Sequence, residues 1–340
     1  MTESILTKVA VVSLLCLSGW TGAAQGAPTA ERPFAALQSL DGQVATIGHR
    51  LAVANLDFCR EQVWRPGFVL HDLGQYGPDD RAAAARHFGL DAGPAVLALA
   101  TGGPAERAGL RIEDIVLRVD GLDTASGALP PRASFDRMER TLDMLDQAFA
   151  DGAATLEIRR SGSAVTITIQ GERGCATHFQ VVPSERLNAL ADGRYVQLTT
   201  AIGAYATNDQ ELAAVIAHEF AHNILHHRAR LDATGVARGF FGNFGRNARL
   251  IRETEIEADR LSIYLLDRAG YDVDAAVRFW ERFGRRGLNF LGSPTHGSWR
   301  TRIAALREEA ERVRQARARG GLAVPSFLPV AIPSQDGPPF

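Results

Sequence analysis

The sequence predicts an α+β protein, in which a β-rich domain precedes a mainly helical domain that carries a small sheet. Short apolar runs separated by glycine and proline turns fill residues 63–171, as expected for a β-rich domain. Longer stretches with apolar residues at helical spacing dominate residues 176–319. With 340 residues, 46% of them hydrophobic, the chain is long enough for two globular domains of ordinary size.

The first 26 residues have the pattern of a secretory signal peptide. Lys8 precedes the apolar run 9–17, which is too short for a membrane span, and small residues follow it. A retained signal anchor is the alternative. Cys16 lacks the small preceding residue of a lipoprotein signal, so no lipidation is expected. Because no later stretch reaches about 18 consecutive apolar residues, we expect a soluble mature protein.

An N-terminal helical segment, residues 27–62, is expected before the β-rich domain. Its apolar residues recur at helical spacing from Ala35 to Phe58, with a break near Asp41-Gly42, so one or two helices are predicted. Within the β-rich domain we expect a short strand, a helix, a buried strand, an amphipathic helix and a hairpin. They are predicted at residues 68–70, 78–88, 95–100, 135–149 and 154–170.

In the second domain, Asp192-Gly193 between two strand-like runs predicts a hairpin. We expect the first strand of this hairpin, at Asn188 and Ala189, to lie at the rim of a cleft. An extended substrate could pair its own backbone with that strand. Asn208 and Glu211 form a capping box at the start of a helix. Three further helices are predicted, at residues 247–269, 273–287 and 299–317. The proline-rich tail, residues 320–340, is expected to be disordered.

Charge and composition limit the partners. A net charge of −2 argues against a nucleic-acid binder, because nothing in the chain creates a strong basic field. Residues 235–245 combine four glycines with three phenylalanines. We expect them to form a lid or a loop that touches a membrane surface, with a simple linker as the alternative.

The most informative stretch is the H-E-x-x-H pattern of His218, Glu219 and His222 in an apolar helix. Residues four apart on a helix share one face, so both imidazoles can bind one metal ion. Glu219 leans toward the same cleft, where it can act as the general base of a zinc hydrolase. With a carboxylate as third ligand, zinc suits the set best and nickel or cobalt are alternatives. One Zn²⁺ per chain is expected.

The third ligand must come from another part of the chain. A metzincin would place a histidine six residues after the second one, but that position is Arg228. Glu255 and Asp259 lie one helical turn apart, so Glu255 can bind the metal while Asp259 accepts the outer N–H of a zinc histidine. The competing carboxylates, neither followed by an aspartate four residues later, are Glu253 and Glu257.

Two more histidines, His226 and His227, follow the motif. Two turns further on, the helix has carried them along and around its axis. We therefore expect them to be solvated residues near a helix end, rather than metal ligands.

The order of elements in residues 63–171 resembles a PDZ domain of the bacterial-protease type. The resemblance rests on G-P-A-E-R-A-G-L at 103–110 and D-I-V-L-R-V-D-G at 114–121. It implies that an extended peptide adds as a strand beside the first strand, with its terminal carboxylate held by loop 65–68. That loop departs from the usual Gly-hydrophobic-Gly-hydrophobic form, and a spacer or lid without a peptide is the alternative.

Removal of the signal leaves two cysteines, Cys59 and Cys175, on either side of this domain. In an oxidising compartment an isolated pair usually forms one disulfide. Because the termini of PDZ domains lie close together, the resemblance implies that this disulfide clamps the inserted domain at its root.

Residues 180–312 resemble the HtpX-like and BepA-like gluzincin peptidases, the family of the CAAX prenyl endopeptidase. The matching stretches include N-A-L-A at Asn188, Y-V-Q-L-T-T at Tyr195, the H-E-x-x-H helix, E-I-E-A-D-R-L, and T-H-G-S-W-R-T-R-I-A-A-L at Thr295. The resemblance implies a mainly helical zincin-type metallopeptidase domain. It assigns His218, His222 and Glu255 as metal ligands and Glu219 as the catalytic base.

The same resemblance implies catalytic roles for two further residues. His296 lies near the metal in some resting states of the family, and Arg302 faces the substrate. Gly297 stands where the family usually has proline. Whether His296 plugs the fourth metal position or donates to the transition state stays open at this point.

The membrane spans of the prenyl-protease branch are missing from this sequence, so a soluble periplasmic enzyme is the nearer comparison. We expect a secreted zinc endopeptidase that cuts misfolded or unassembled envelope proteins and that can also bind a peptide at its PDZ-like domain. The alternative is a PDZ-containing chaperone or client-binding protein with little proteolytic turnover.

Overall fold

The computed structural model describes residues 32–91, 93–124, 128–235, 245–286 and 299–327. The expected signal peptide, most of the glycine-rich segment, His296 and most of the proline-rich tail lie outside these residues. About half of the described residues are helical and the strands form three sheets, which confirms a mixed chain of helices and sheets. None of the helices in these ranges combines the length and the apolar content needed to cross a bilayer.

The elements are numbered in chain order. The described helices α1 to α10 are Arg32–Ala54, Arg81–Phe88, Pro104–Arg107, Asp136–Ala148, Thr200–Tyr205, Asp209–Ile224, His227–Ala233, Gly245–Arg268, Asp274–Arg285 and Trp299–Ala318. The described strands β1 to β11 are Gln62–Arg65, Phe68–His71, Ala95–Leu99, Ile115–Val119, Leu122–Asp123, Ala153–Arg160, Ser163–Gln170, Glu172–Cys175, His178–Val182, Ala189–Ala191 and Tyr195–Thr199.

Of the one or two helices expected up to Phe58, the structure has one, because α1 continues through Asp41 and Gly42 as a helix of 23 residues. A glycine inside a helix costs about 1 kcal/mol, and tertiary packing offsets that cost here. Val44 and Leu51 are buried in the core of the second domain. A Cβ atom at Gly48 would lie 2.4 Å from the ring of Phe179, so this glycine allows α1 to approach β9 closely.

The inserted domain, β2 to β7, is built on one antiparallel sheet in the order β2-β3-β4-β6-β7, with β5 paired to β4. Helix α4 packs on this sheet and buries Met138 and Leu145 among residues such as Leu156 and Ile158. Among the described strands, β2 has one neighbour, β3, so one of its edges is unpaired within the sheet.

The chain leaves and re-enters the second domain at one point. Strand β1 pairs antiparallel with β8, so that Gln62 lies opposite Cys175. The structure joins Cys59 to Cys175 in a disulfide, with their Cα atoms 5.5 Å apart. Both links join the two chain segments that flank the sheet of β2 to β7.

The second domain is organised around α6, whose residues from Glu211 to Ala221 are all buried. Helices α1, α8 and α9 pack against it, and so does a small sheet in the order β10-β11-β9. The side chain of Asn223 donates to the carbonyl of Tyr195 and accepts from the N–H of Gly193. Asn223 thus fixes the predicted β10–β11 hairpin to the helix that carries the H-E-x-x-H pattern.

Candidate metal centre

The H-E-x-x-H side chains lie on α6, which begins where the capping signal predicts. The side chain of Asn208 accepts from the N–H of Glu211 and so satisfies one free donor of the first turn. Two and three turns further on, His218, Glu219 and His222 reach the interface with α8. Helix α8 brings Glu255 to the same point, and ligand atoms of His218, His222 and Glu255 all lie within 4.8 Å of one another.

The spacing of these donor atoms matches a zinc site. The two Nε2 atoms of His218 and His222 are 3.3 Å apart. Oε2 of Glu255 lies 3.4 Å from Nε2 of His218, and Oε1 of Glu255 lies 3.5 Å from Nε2 of His222. Zinc binds nitrogen and oxygen at about 2.0–2.2 Å, and the edge of a tetrahedron with such bonds is about 3.3–3.6 Å. The residues present therefore fit a zinc ion.

In both histidines the outer nitrogen, Nδ1, points away from the metal site and lies next to an acceptor. This determines whether the inner nitrogen, Nε2, carries a lone pair. Nδ1 of His218 lies 3.0 Å from Asp259. Nδ1 of His222 lies 2.9 Å from Nδ1 of His227, whose Nε2 lies 3.0 Å from Glu257. When both outer nitrogens donate, the two inner nitrogens carry lone pairs. Two lone pairs that face each other at 3.3 Å repel unless a metal ion or a proton lies between them.

Acidic groups around His218 favour positive charge at this point. Burial lowers the pKa of His218, but hydrogen bonds to Asp259 and Glu255 outweigh it and raise the pKa to about 9. Burial holds the pKa of His222 well below its usual value, so this imidazole is neutral, as a metal ligand must be.

His227 lies at the candidate metal centre, which the sequence interpretation missed because it expected a solvated residue. Its side chain is 2% exposed and bridges His222 to Glu257. The physical reason is that α6 ends at Ile224 and His226 adopts a left-handed conformation, with φ of 51°. The chain turns back there, and His227 returns to the metal centre instead of continuing along the helix.

We expect His227→Ala to weaken metal binding by about 10- to 100-fold, because the ring of His222 loses the group that orients it. Competition with a chelator of known affinity measures this directly. His87→Ala, on α2 in the other half of the chain, is the control and is expected to leave the affinity unchanged. Equal affinities in the two variants would show that the bridge does not orient His222.

Arg302 was expected to face the substrate, but its side chain contacts Asp259. Its guanidinium donates to both carboxylate oxygens of Asp259 at 2.6 and 2.7 Å, and it lies 3.8 Å from Glu255. It also stacks 4.5 Å over the ring of Trp280. Asp259 is fully buried and needs a counter-charge. Arg302 therefore acts through Asp259 on His218.

Glu219 is 3% exposed, next to the three donor residues. Burial raises the pKa of its carboxyl group to about 7. Among the residues that the structure describes, its Oε1 atom has no hydrogen-bond partner. A carboxyl group with a pKa near neutrality is suited to accept a proton and release it again.

The expected substrate rim is the free edge of the small sheet. Strand β10 has β11 as its neighbour on one side and packs against α6. The carbonyl of Asn188 accepts from Thr199, and the N–H of Asp192 donates to Tyr195. In an antiparallel ladder alternate residues face the same edge, so the backbone groups of Ala189 and Ala191 face away from β11. Among the described residues, a short strand edge thus stays open beside the helix of the metal site.

The part of the sequence that forms this site is similar to known proteins. Residues 157–245 and 243–310 match Peptidase family M48. Residues 157–310 of this chain are therefore similar to that family. Over 119 residues the chain is 33% identical to the mitochondrial metalloendopeptidase OMA1 of Schizosaccharomyces pombe, which covers 28% of this chain. Over 170 residues it is 27% and 28% identical to the beta-barrel assembly-enhancing proteases of Yersinia pestis and Escherichia coli K12, which cover 40% of this chain.

In each case the match spans 35% of the relative's length. A solved structure of the HtrA-type protease AlgW with decapeptide covers 33% of this chain and 30% of its own, at 21% identity and a TM-score of 0.25. A TM-score this low does not establish a shared fold. The M48 similarity supports a metalloprotease, and M48 peptidases are zinc-dependent.

Proposed function

We propose that this chain is a zinc-dependent metalloendopeptidase that hydrolyses peptide bonds of misfolded or unassembled envelope proteins in the periplasm. The observation that carries the proposal is the triangle of His218, His222 and Glu255, with donor atoms 3.3–3.5 Å apart. The buried carboxyl group of Glu219 lies beside this triangle.

In this mechanism the two histidines and Glu255 hold the zinc ion. A zinc ion bound there would act as a Lewis acid that acidifies water and polarises the scissile carbonyl. Glu219 takes the proton of the attacking water and passes it to the leaving amine, which its pKa near 7 allows. Asp259 and Arg302 keep the outer nitrogen of His218 as a donor. The free edge of β10 aligns an extended substrate by strand addition.

Three features support the envelope location and the client class. Two of the similar proteins carry the name beta-barrel assembly-enhancing protease. The first 26 residues have a signal-peptide pattern, and the disulfide between Cys59 and Cys175 suits an oxidising compartment. The division into a PDZ-like domain at 63–171 and a metallopeptidase domain at 176–319 belongs to the same proposal, because α4 and the edge strand β2 flank a groove of the kind that binds peptides.

The test is metal-dependent cleavage of an unfolded protein. Purified protein is expected to contain about one zinc per chain and to cut unfolded casein; chelation abolishes the cleavage and added zinc restores it. His222→Ala is expected to lose both metal and cleavage. A zinc-loaded protein that keeps casein soluble and releases no fragments would instead favour the client-binding alternative. The groove between α4 and β2 is consistent with that alternative too.

A further inference from the structure

The turn between β10 and β11 lies between the metal-site helix α6 and the inserted domain. On one side, the side chain of Asn223 on α6 bonds to the backbone of Gly193 and of Tyr195. On the other side, the side chain of Arg194 reaches α4 of the inserted domain. The hairpin that carries the open edge of β10 is therefore held from two directions, and one of them lies outside the second domain.

Helix α4 presents a row of carboxylates to this turn. Glu139, Asp143 and Asp146 are spaced by four and three residues, which places them on one face of the helix. The guanidinium of Arg194 lies 2.5 Å from Asp143, 3.3 Å from Asp146 and 3.8 Å from Glu139. Burial raises the pKa of Asp146, but hydrogen bonds to His178 and Arg194 outweigh it and hold this pKa below its usual value. The row therefore stays charged, and the second domain supplies its counter-charge.

The turn can carry the position of Arg194 to β10 because it is closed by its own hydrogen bonds. The side chain of Asp192 accepts from the N–H of Arg194 at 2.9 Å and from the N–H of Tyr195 at 2.7 Å. The N–H of Asp192 donates back to the carbonyl of Tyr195 at 3.1 Å. Ala191, the last residue of β10, directly precedes this closed turn. A shift of Arg194 therefore moves the end of the open edge.

The contact between α4 and the hairpin is made by side chains that solvent reaches. The side chains of Arg194 and its three carboxylate partners are 39% to 52% exposed. Such ion pairs add little to global stability and are screened by salt. A ring contact at 6.2 Å between Phe135, just before α4, and Tyr195 accompanies them. The ion pairs can thus set the position of the hairpin without deciding whether the protein folds.

We propose that Arg194 is a positioning residue that couples the inserted domain to the substrate edge at β10. The inference rests on the proposed function, since it assigns a role in holding the substrate. By fixing the turn against α4, Arg194 keeps the open backbone groups of Ala189 and Ala191 beside α6, where an extended substrate pairs with them. Arg194 itself touches no substrate. It supports an interaction that is made equally in the ground state and in the transition state.

Arg194→Ala is expected to raise the KM for unfolded casein by about 2- to 5-fold and to leave kcat and the zinc content unchanged. A purely structural role would instead lower the fraction of active protein, and with it kcat, at an unchanged KM. High salt should remove the difference in KM between Arg194→Ala and the unmodified protein, because it screens exposed ion pairs. Arg194→Glu should raise KM further, and Arg194→Glu combined with Asp143→Arg should restore it.

Arg118→Ala is the matched control, because Arg118 is 46% exposed and pairs with Asp123 and Glu157 inside the inserted domain. It should leave KM unchanged. Hydrogen exchange of residues 189–199 tests the coupling without catalysis and should be faster in Arg194→Ala than in Arg118→Ala or the unmodified protein.

Unchanged exchange, an unchanged KM, or a charge swap that restores nothing would overturn the inference. If the unmodified protein cut no casein, the proposed function would fail, and the exchange measurement alone would decide whether Arg194 fixes the edge.

Discussion

Glu219→Gln is expected to lower the turnover of unfolded casein by about 10²- to 10⁴-fold, the range that general acid–base catalysis contributes. Glutamine has nearly the shape of glutamate but cannot take a proton from water. Since Glu219 lies beside the donor triangle and is not part of it, the zinc content should stay at about one per chain. Quantification of casein fragments, with elemental analysis of the same sample, measures both effects.

Glu253→Gln supplies the control for this prediction. Glu253 lies on α8 two residues before Glu255, but it is exposed and pairs with Arg249 at the surface. The same chemical change there should leave turnover unchanged. If Glu219→Gln kept full activity with its zinc in place, Glu219 would not be the proton acceptor.

Arg302→Leu is expected to lower the free energy of unfolding by about 3–5 kcal/mol, the usual cost of leaving one member of a buried ion pair alone. Leucine removes both hydrogen bonds to Asp259, which stays fully buried. Urea denaturation in the presence of a chelator measures the loss without a contribution from metal binding.

Arg307→Leu is the comparison for this second prediction, because Arg307 lies on the same helix and forms an ion pair with Glu281. Its side chain is 63% exposed, so the pair is screened by solvent and the expected loss is about 0–1 kcal/mol. Losses of equal size in both variants would mean that Asp259 is stabilised by something other than Arg302.

Local patterns were sufficient to predict much of the candidate site. His218 and His222 share a helix face because they are four residues apart, and Glu255 and Asp259 repeat that spacing on a second helix. The spacing therefore fixed their relative directions, and only the packing of α6 against α8 remained to be supplied by the fold.

Where the prediction failed, the cause lies in tertiary structure. The position of His227 depends on the left-handed residue His226, which ends the helical path that spacing assumes. Arg302 and Asp259 are 43 residues apart in sequence, and no local pattern links them. Between the one or two helices that the sequence allowed before Cys59, packing of α1 against β9 decides for one, because it overrides the weak helix propensity of Asp41 and Gly42.

The placement of α1 in the core of the second domain has a consequence for the order of folding. Helix α1 and strand β9 are neighbours in space, yet the whole of β1 to β8 separates them along the chain. Closing a loop of that length from an unfolded chain costs about 4 kcal/mol of entropy. The inserted domain is contiguous in sequence and has a buried cluster of its own, so we expect it to fold early and bring Cys59 next to Cys175. Its folding would then close the loop before α6 is covered, and the metal centre would form last.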